Sequence, residues 1–170
     1  MATTYTLISS SFPTSGNSVT FSSIPQTYTD LVILVSARAT NASVISNFQV
    51  GFNGVTTATY SSTWLQGSGS AASSSRNQSN EIYSGFINGG GSTASSFASS
   101  EIYIPNYTNS TNNKQISNFT TSEDNSATAY ITGSAGLSRN TAAISSVTIY
   151  FGGNTIASGS SLYLYGIKNS

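Results

Sequence analysis

The chain contains no cysteine and no histidine. That removes thiol nucleophiles, disulfides, imidazole bases and the commonest zinc and copper ligands together. A chain without cysteine is silent on redox compartment. Charge is nearly as scarce: five Lys and Arg balance five Asp and Glu among 170 residues, for a net charge of zero. The five cations, Arg38, Arg76, Lys114, Arg139 and Lys168, stand singly. Nucleic acid binding needs clustered Lys and Arg to neutralise phosphates, so no nucleic acid partner is expected. No apolar run approaches the length of a membrane span. The opening Met1-Ala2-Thr3-Thr4-Tyr5 has neither the basic nor the apolar region of a signal peptide. The expectation is synthesis in a cytoplasm and no membrane contact. Helical periodicity is missing too, since no segment carries apolar residues at i, i+3, i+4 and i+7 over three turns.

Ser, Thr and Asn make up more than two-fifths of the chain, a composition that by itself would suit disorder. Disordered chains, however, are poor in aromatic and β-branched residues. Here ten Tyr, eight Phe and one Trp run through the whole length. The reading is a folded, polar-coated β protein with room for one hydrophobic core. Its most apolar stretch is Leu31-Val32-Ile33-Leu34-Val35, preceded by Ile24-Pro25 and the turn-like Gln26 to Asp30. A short apolar run rich in β-branched residues and bounded by turn signals predicts a central strand buried on both faces.

Period-two segments recur around it. Strands are expected at Tyr5–Ser9, Val19–Phe21, Phe48–Phe52, Ala58–Leu65, Glu81–Ile87 and Phe97–Ile104, the last stopped by Pro105. Gln115–Phe119 and Ala127–Thr132 read as a neighbouring pair around Glu123-Asp124-Asn125. Ala143–Phe151 and Ser161–Lys168 complete the set. Asn53-Gly54 is a type I′ hairpin signal. The serine-rich stretch 67–80 (GSGSAASSSRNQSN) has nothing apolar to bury and is expected to be an exposed, mobile loop. Asn88-Gly89-Gly90-Gly91 reads as a flexible connection, because no helix follows it as a phosphate loop requires. Nine to eleven short strands predict an all-β fold, a single-domain antiparallel β-sandwich over residues 1–170. The similar terminal strands fit a jelly roll, where first and last strands lie side by side.

Chemistry is hard to find in this sequence. Without histidine, a nucleophilic serine would need Lys, Asp or Glu as its base, and no Gly-x-Ser-x-Gly elbow occurs. The five acids, Asp30, Glu81, Glu101, Glu123 and Asp124, give no carboxylate pair with a reason to be together. Glu81 and Glu101 read as edge charges, and Glu123-Asp124-Asn125 as a turn rather than a calcium loop. Five Asn-x-Ser/Thr sequons, at Asn41, Asn77, Asn106, Asn109 and Asn118, are what sixteen Asn in so Ser- and Thr-rich a chain give by chance. The expectation is a non-enzymatic protein with no catalytic residue, cofactor or metal. Tyr28, Trp64, Tyr103 and Tyr107 fall near strand ends, where rings can stack on a sugar or anchor a partner. These four are the candidate contact residues.

Three blocks carry a resemblance: Tyr5-Thr6-Leu7-Ile8-Ser9, Ser23-Ile24-Pro25-Gln26-Thr27-Tyr28-Thr29-Asp30-Leu31-Val32, and Gly159-Ser160-Ser161-Leu162-Tyr163-Leu164-Tyr165-Gly166-Ile167-Lys168. In these the chain resembles small jelly-roll structural proteins of tailed bacteriophage virions; the middle resembles them in composition only. The resemblance implies a decoration (cement) protein on the capsid surface. Its partners would be the major capsid protein and copies of itself, as a homotrimer around a local threefold. The alternative it implies is a tail or fibre domain that binds a receptor or glycan.

Overall fold

The period-two segments become twelve strands in the computed structural model, which describes residues 4–125 and 128–168. Ala127, expected to open one strand, and Met1, Ala2 and Thr3 of the leader reading lie outside the described residues. In chain order the strands are β1 (Tyr5–Ser11), β2 (Ser18–Phe21), β3 (Asp30–Ala37), β4 (Ile45–Phe52), β5 (Tyr60–Gly67) and β6 (Ala72–Ser79). They continue as β7 (Ile82–Asn88), β8 (Ala98–Ile104), β9 (Lys114–Ser122), β10 (Tyr130–Ser138), β11 (Val147–Tyr150) and β12 (Ser161–Ile167). They form two antiparallel sheets packed as a β-sandwich. One has eight strands in the order β1-β12-β3-β8-β9-β10-β5-β6; the other has four, β2-β11-β4-β7. The terminal strands are neighbours as expected, with Leu7 opposite Tyr165 and Ser11 opposite Leu162.

Alternation along each strand sends one set of side chains between the sheets. Leu31, Ile33 and Val35 of β3, Ile102 and Ile104 of β8, and Leu162 and Leu164 of β12 meet Phe48, Val50 and Phe52 of β4 and Val147 and Ile149 of β11. Burying each such side chain contributes about 1.5–3 kcal/mol. The run Leu31–Val35 is an interior strand, buried on both faces only in its first half. Val32 points outward yet is buried, whereas Leu34, two residues on along the same face, is 39% exposed.

Three local expectations are corrected. Asn53 and Gly54 do adopt the two positive φ values of a type I′ turn (53° and 65°), closed by Val55 N–H donating to Phe52 O at 3.0 Å. The turn makes no hairpin: β4 pairs with β7 and β11, whereas the chain beyond the turn enters the other sheet as β5. The serine-rich stretch 67–80 is exposed but is not a mobile loop. Its residues 72–79 form β6, paired along β5 from Gly67–Ala72 to Tyr60–Ser79. An edge strand needs a neighbour's hydrogen bonds, not apolar area, and a polar edge resists unwanted pairing. The glycines 89–91 are packed, not flexible. A Cβ on Gly89 would lie 2.1 Å from Ser43 O, and Gly90 and Gly91 donate to Asn41 O (2.7 Å) and Ser43 O (3.0 Å).

The half of the sandwich under β7 is built differently. A bulge in β7 leaves Ser84 without a partner on β4, where Phe48 opposes Gly85 and Gln49 opposes Tyr83. The freed Ser84 carbonyl accepts from Asn118 Nδ2 (2.6 Å) and Thr120 Oγ1 (2.7 Å) of the opposite sheet. Ser100 Oγ joins the network by donating to Asn118 Oδ1 at 2.9 Å. Small residues let the layers approach here: a Cβ on Gly136 would sit 2.3 Å from Ile82 Cγ2.

Candidate interaction face

The eight-stranded sheet has an outer face, and antiparallel register aligns its residues into rows. One row runs Ser74, Leu65, Gly133, Phe119, Glu101, Leu34, Tyr163, Ser10, one residue from each strand from β6 to β1. Strands lie about 4.8 Å apart, so this row crosses roughly 34 Å of surface. Among the described residues the large exposed hydrophobic side chains are Tyr5, Leu7, Phe12, Leu34, Leu65, Phe119 and Ile131. Six lie on outward positions of this sheet, and Phe12 follows β1 and meets Tyr163 edge-on at 5.7 Å. The outer face of the smaller sheet differs: Thr20 and Thr148 share a hydroxyl contact of 2.9 Å there, and its aromatics Tyr150, Tyr83 and Phe86 are half-buried. Scattered exposed leucines are ordinary; gathering them on one face makes that face the candidate interaction surface.

The face has two halves. Over β1, β12 and β3 it is aromatic: Tyr5 and Tyr165 meet edge-on at 6.3 Å, and Tyr163 and Tyr165 lie 6.5 Å apart. Between Tyr163, Tyr165, Leu34 and Glu101 lies a shallow depression of about 360 Å³ that Ser36, Ser99 and Ser161 also line. Over β9, β10 and β5 the face is aliphatic. Leu65, Phe119 and Ile131 surround Gly133, where a side chain would find no atom within 4 Å. Glu101 and Arg76 are the exposed charged residues on outward strand positions among the described residues.

The four aromatics singled out from the sequence do not converge on this face. Tyr107 is fully buried, with its hydroxyl donating to the carbonyl of Pro25. That corrects its assignment as a contact residue, and burial pushes its pKa up. Tyr28 packs its ring over Gly166, where a Cβ would come within 2.3 Å of it. Trp64 faces inward across Tyr83, the rings 4.5 Å apart, in a half-buried series that continues to Phe86 and Tyr130. Tyr103 does lie on the outer face. Its hydroxyl donates to Asp30 Oδ2 at 2.8 Å, and that bond raises its pKa. A criterion of aromatics near strand ends does not pick out Tyr163 and Tyr165, which lie within β12. The signal was present in Leu162-Tyr163-Leu164-Tyr165, where both faces of a strand carry large apolar groups.

Glu123, Asp124 and Asn125 form a turn, with Glu123 Oε1 accepting from the amides of Asp124 (3.1 Å) and Asn125 (2.9 Å). Asp124 Oδ2 accepts from the Thr93 amide at 3.2 Å. Arg38 is spent on structure as well: its guanidinium donates to the carbonyls of Gly90, Ser92, Thr93 and Ser96 and so pins the segment between β7 and β8. No family model matches the chain, and a search of curated proteins finds no match to it either.

Proposed function

We propose that the chain is a non-enzymatic structural protein of a tailed-phage virion, a jelly-roll decoration subunit that bridges and stabilises neighbouring capsid subunits. The observation that carries this reading is the broad outer face: a sheet eight strands wide, low in charge, with its exposed apolar residues gathered on it. Such a surface suits docking on an extended lattice, where aromatic anchors supply the contact energy and few charges need desolvation. The aromatic half, with Tyr5, Leu7, Phe12, Leu34, Tyr163 and Tyr165, is the part assigned to the capsid. Strand wiring supports the jelly roll. With the hairpins β5–β6 and β9–β10 set aside, two four-stranded sheets remain, β1-β12-β3-β8 and β2-β11-β4-β7. Its connections cross between sheets at every step except β4 to β7, the double Greek key of that fold.

Copy number in purified virions tests the reading, measured by quantitative mass spectrometry against the major capsid protein. A simple ratio to capsid subunits is expected, together with earlier rupture on heating of capsids that lack the chain. Absence from the particle refutes it.

A second reading, a tail domain that binds a glycan, draws on the depression beside Glu101, where two Tyr rings, a carboxylate and serine hydroxyls line one hollow. Glycan-array binding lost in Tyr163→Ala would favour it, with a handful of copies per particle.

A further inference from the structure

The aliphatic half of the outer face has a symmetry of its own. Five strands make it up, in the order β8, β9, β10, β5, β6, and β10 is the middle one. Phe119 and Leu65 stand one strand to either side of Gly133, each directly opposite it in register. Glu101 on β8 and Arg76 on β6 stand two strands to either side. Arg76 is opposite Thr63, two residues along from the row that holds Glu101 and Leu65, so the offset is about 6.8 Å, within the reach of an arginine side chain.

We propose that this half pairs face to face with a second copy of the chain about a two-fold axis that runs along β10. Rotation about that axis lays β9 over β5 of the other copy and β8 over its β6. Phe119 then meets Leu65 twice, Glu101 meets Arg76 twice, and the two Gly133 positions face each other where nothing stands above the backbone. Each residue's partner is the one the symmetry requires, which is the condition for an isologous interface. Opposite charges fall on opposite sides of the axis, so a copy shifted by one strand would lose both ion pairs.

The area is sufficient. Five strands span about 20–24 Å and their length is about 25 Å, giving roughly 500–600 Å² per copy and about 1,000–1,200 Å² in all, enough for a biological contact and in the size class of weak, reversible ones. The expectation is a dimer of micromolar strength. Aromatic residues over β1, β12 and β3 remain outside this contact, free for a different partner. This two-fold pairing differs from the threefold that the family resemblance implies, and it stands whether or not the chain belongs to a virion.

Sedimentation equilibrium of the purified chain from about 1 to 300 µM tests it. A concentration-dependent dimer is expected, and Leu65→Ser with Phe119→Ser should leave monomer throughout. Reversing one charge, Glu101→Arg or Arg76→Glu, should weaken the dimer roughly tenfold, and the two reversals together should restore it. Tyr163→Ser should leave the dimer unchanged. All these positions are solvent-accessible in the single chain, and circular dichroism confirms that each variant folds. A monomer at 300 µM, a trimer, or charge reversals without effect on a dimer would each overturn the proposal.

Discussion

Two glycines on β10 face opposite ways and should answer the same substitution with opposite signs. Gly136 points into the sandwich, where an added Cβ would lie 2.3 Å from Ile82 Cγ2 and 3.0 Å from Ile116 Cγ1. Ile82 is fully buried and Ile116 nearly so. Both are β-branched, so neither can swing its methyl aside without leaving its rotamer. Overpacking of this kind costs about 1–3 kcal/mol, against roughly 0.5–1 kcal/mol gained by removing a glycine from a strand. Gly136→Ala should therefore lose about 1–2 kcal/mol. Gly133 points outward with nothing within 4 Å, so Gly133→Ala keeps only the gain. With an m-value of about 2 kcal/mol/M, the urea midpoint should fall by about 0.5–1 M in the first variant and rise by about 0.2–0.5 M in the second. Chemical denaturation followed by tryptophan fluorescence reads both, at about 0.05 µM, well below micromolar association, so that self-association does not contribute. If Gly136→Ala is as stable as the parent chain, the sheets do not approach under β7 as closely as a 2.3 Å Cβ contact with Ile82 requires.

Other outcomes follow from buried polar groups. Tyr60 is fully buried and its hydroxyl accepts from the Phe52 amide at 2.9 Å; Tyr60→Phe strands that N–H and should cost about 1–3 kcal/mol, visible as a lower melting temperature. Asn118 and Thr120 donate to the same Ser84 carbonyl, so Asn118→Ala and Thr120→Val should couple by about 0.5–3 kcal/mol in a double-mutant cycle; simple additivity would mean that the carbonyl is not shared. Burial raises the pKa of Tyr60, Tyr83 and Tyr107 above the ordinary 10.0. The unfolded chain ionises first, so this contribution is intact below about pH 10 and fades as pH climbs past it. Burial lowers the pKa of Lys114, which acts in the opposite sense because its neutral form is the one the fold favours, but three tyrosines outnumber it. Denaturation midpoints measured from pH 8 to 11.5 should fall above pH 10, and a flat profile would contradict the burial of these hydroxyls.

Much of the fold is legible in the sequence because alternation reports burial directly. Val19-Thr20-Phe21 and Phe48 to Phe52 alternate cleanly and lie where expected, one face in the core. What escapes is whatever alternation does not encode. Residues 72–79 bury nothing apolar, so only β5 beside them makes them a strand. The second half of β10, Gly133 to Ser138, packs through glycine and serine against a close layer, which reads locally as a loop. Asn53-Gly54 specifies a turn but not which sheet receives the chain. The outward apolar residues escape for a related reason. Leu34, Leu65, Phe119 and Ile131 look like core residues in a list, and it takes the register to show that they all face outward.

The Ser84 knot has a mechanical consequence. The attraction between methyl groups packed between two sheets is non-directional, so a small slide can exchange one apolar contact for another. A backbone carbonyl of one sheet held by two side chains of the other cannot slide without giving up both bonds at once. Stress that shears the sandwich along its strands should therefore meet its stiffest resistance under β7. Stress that peels the outer β6 edge meets only one ladder at a time.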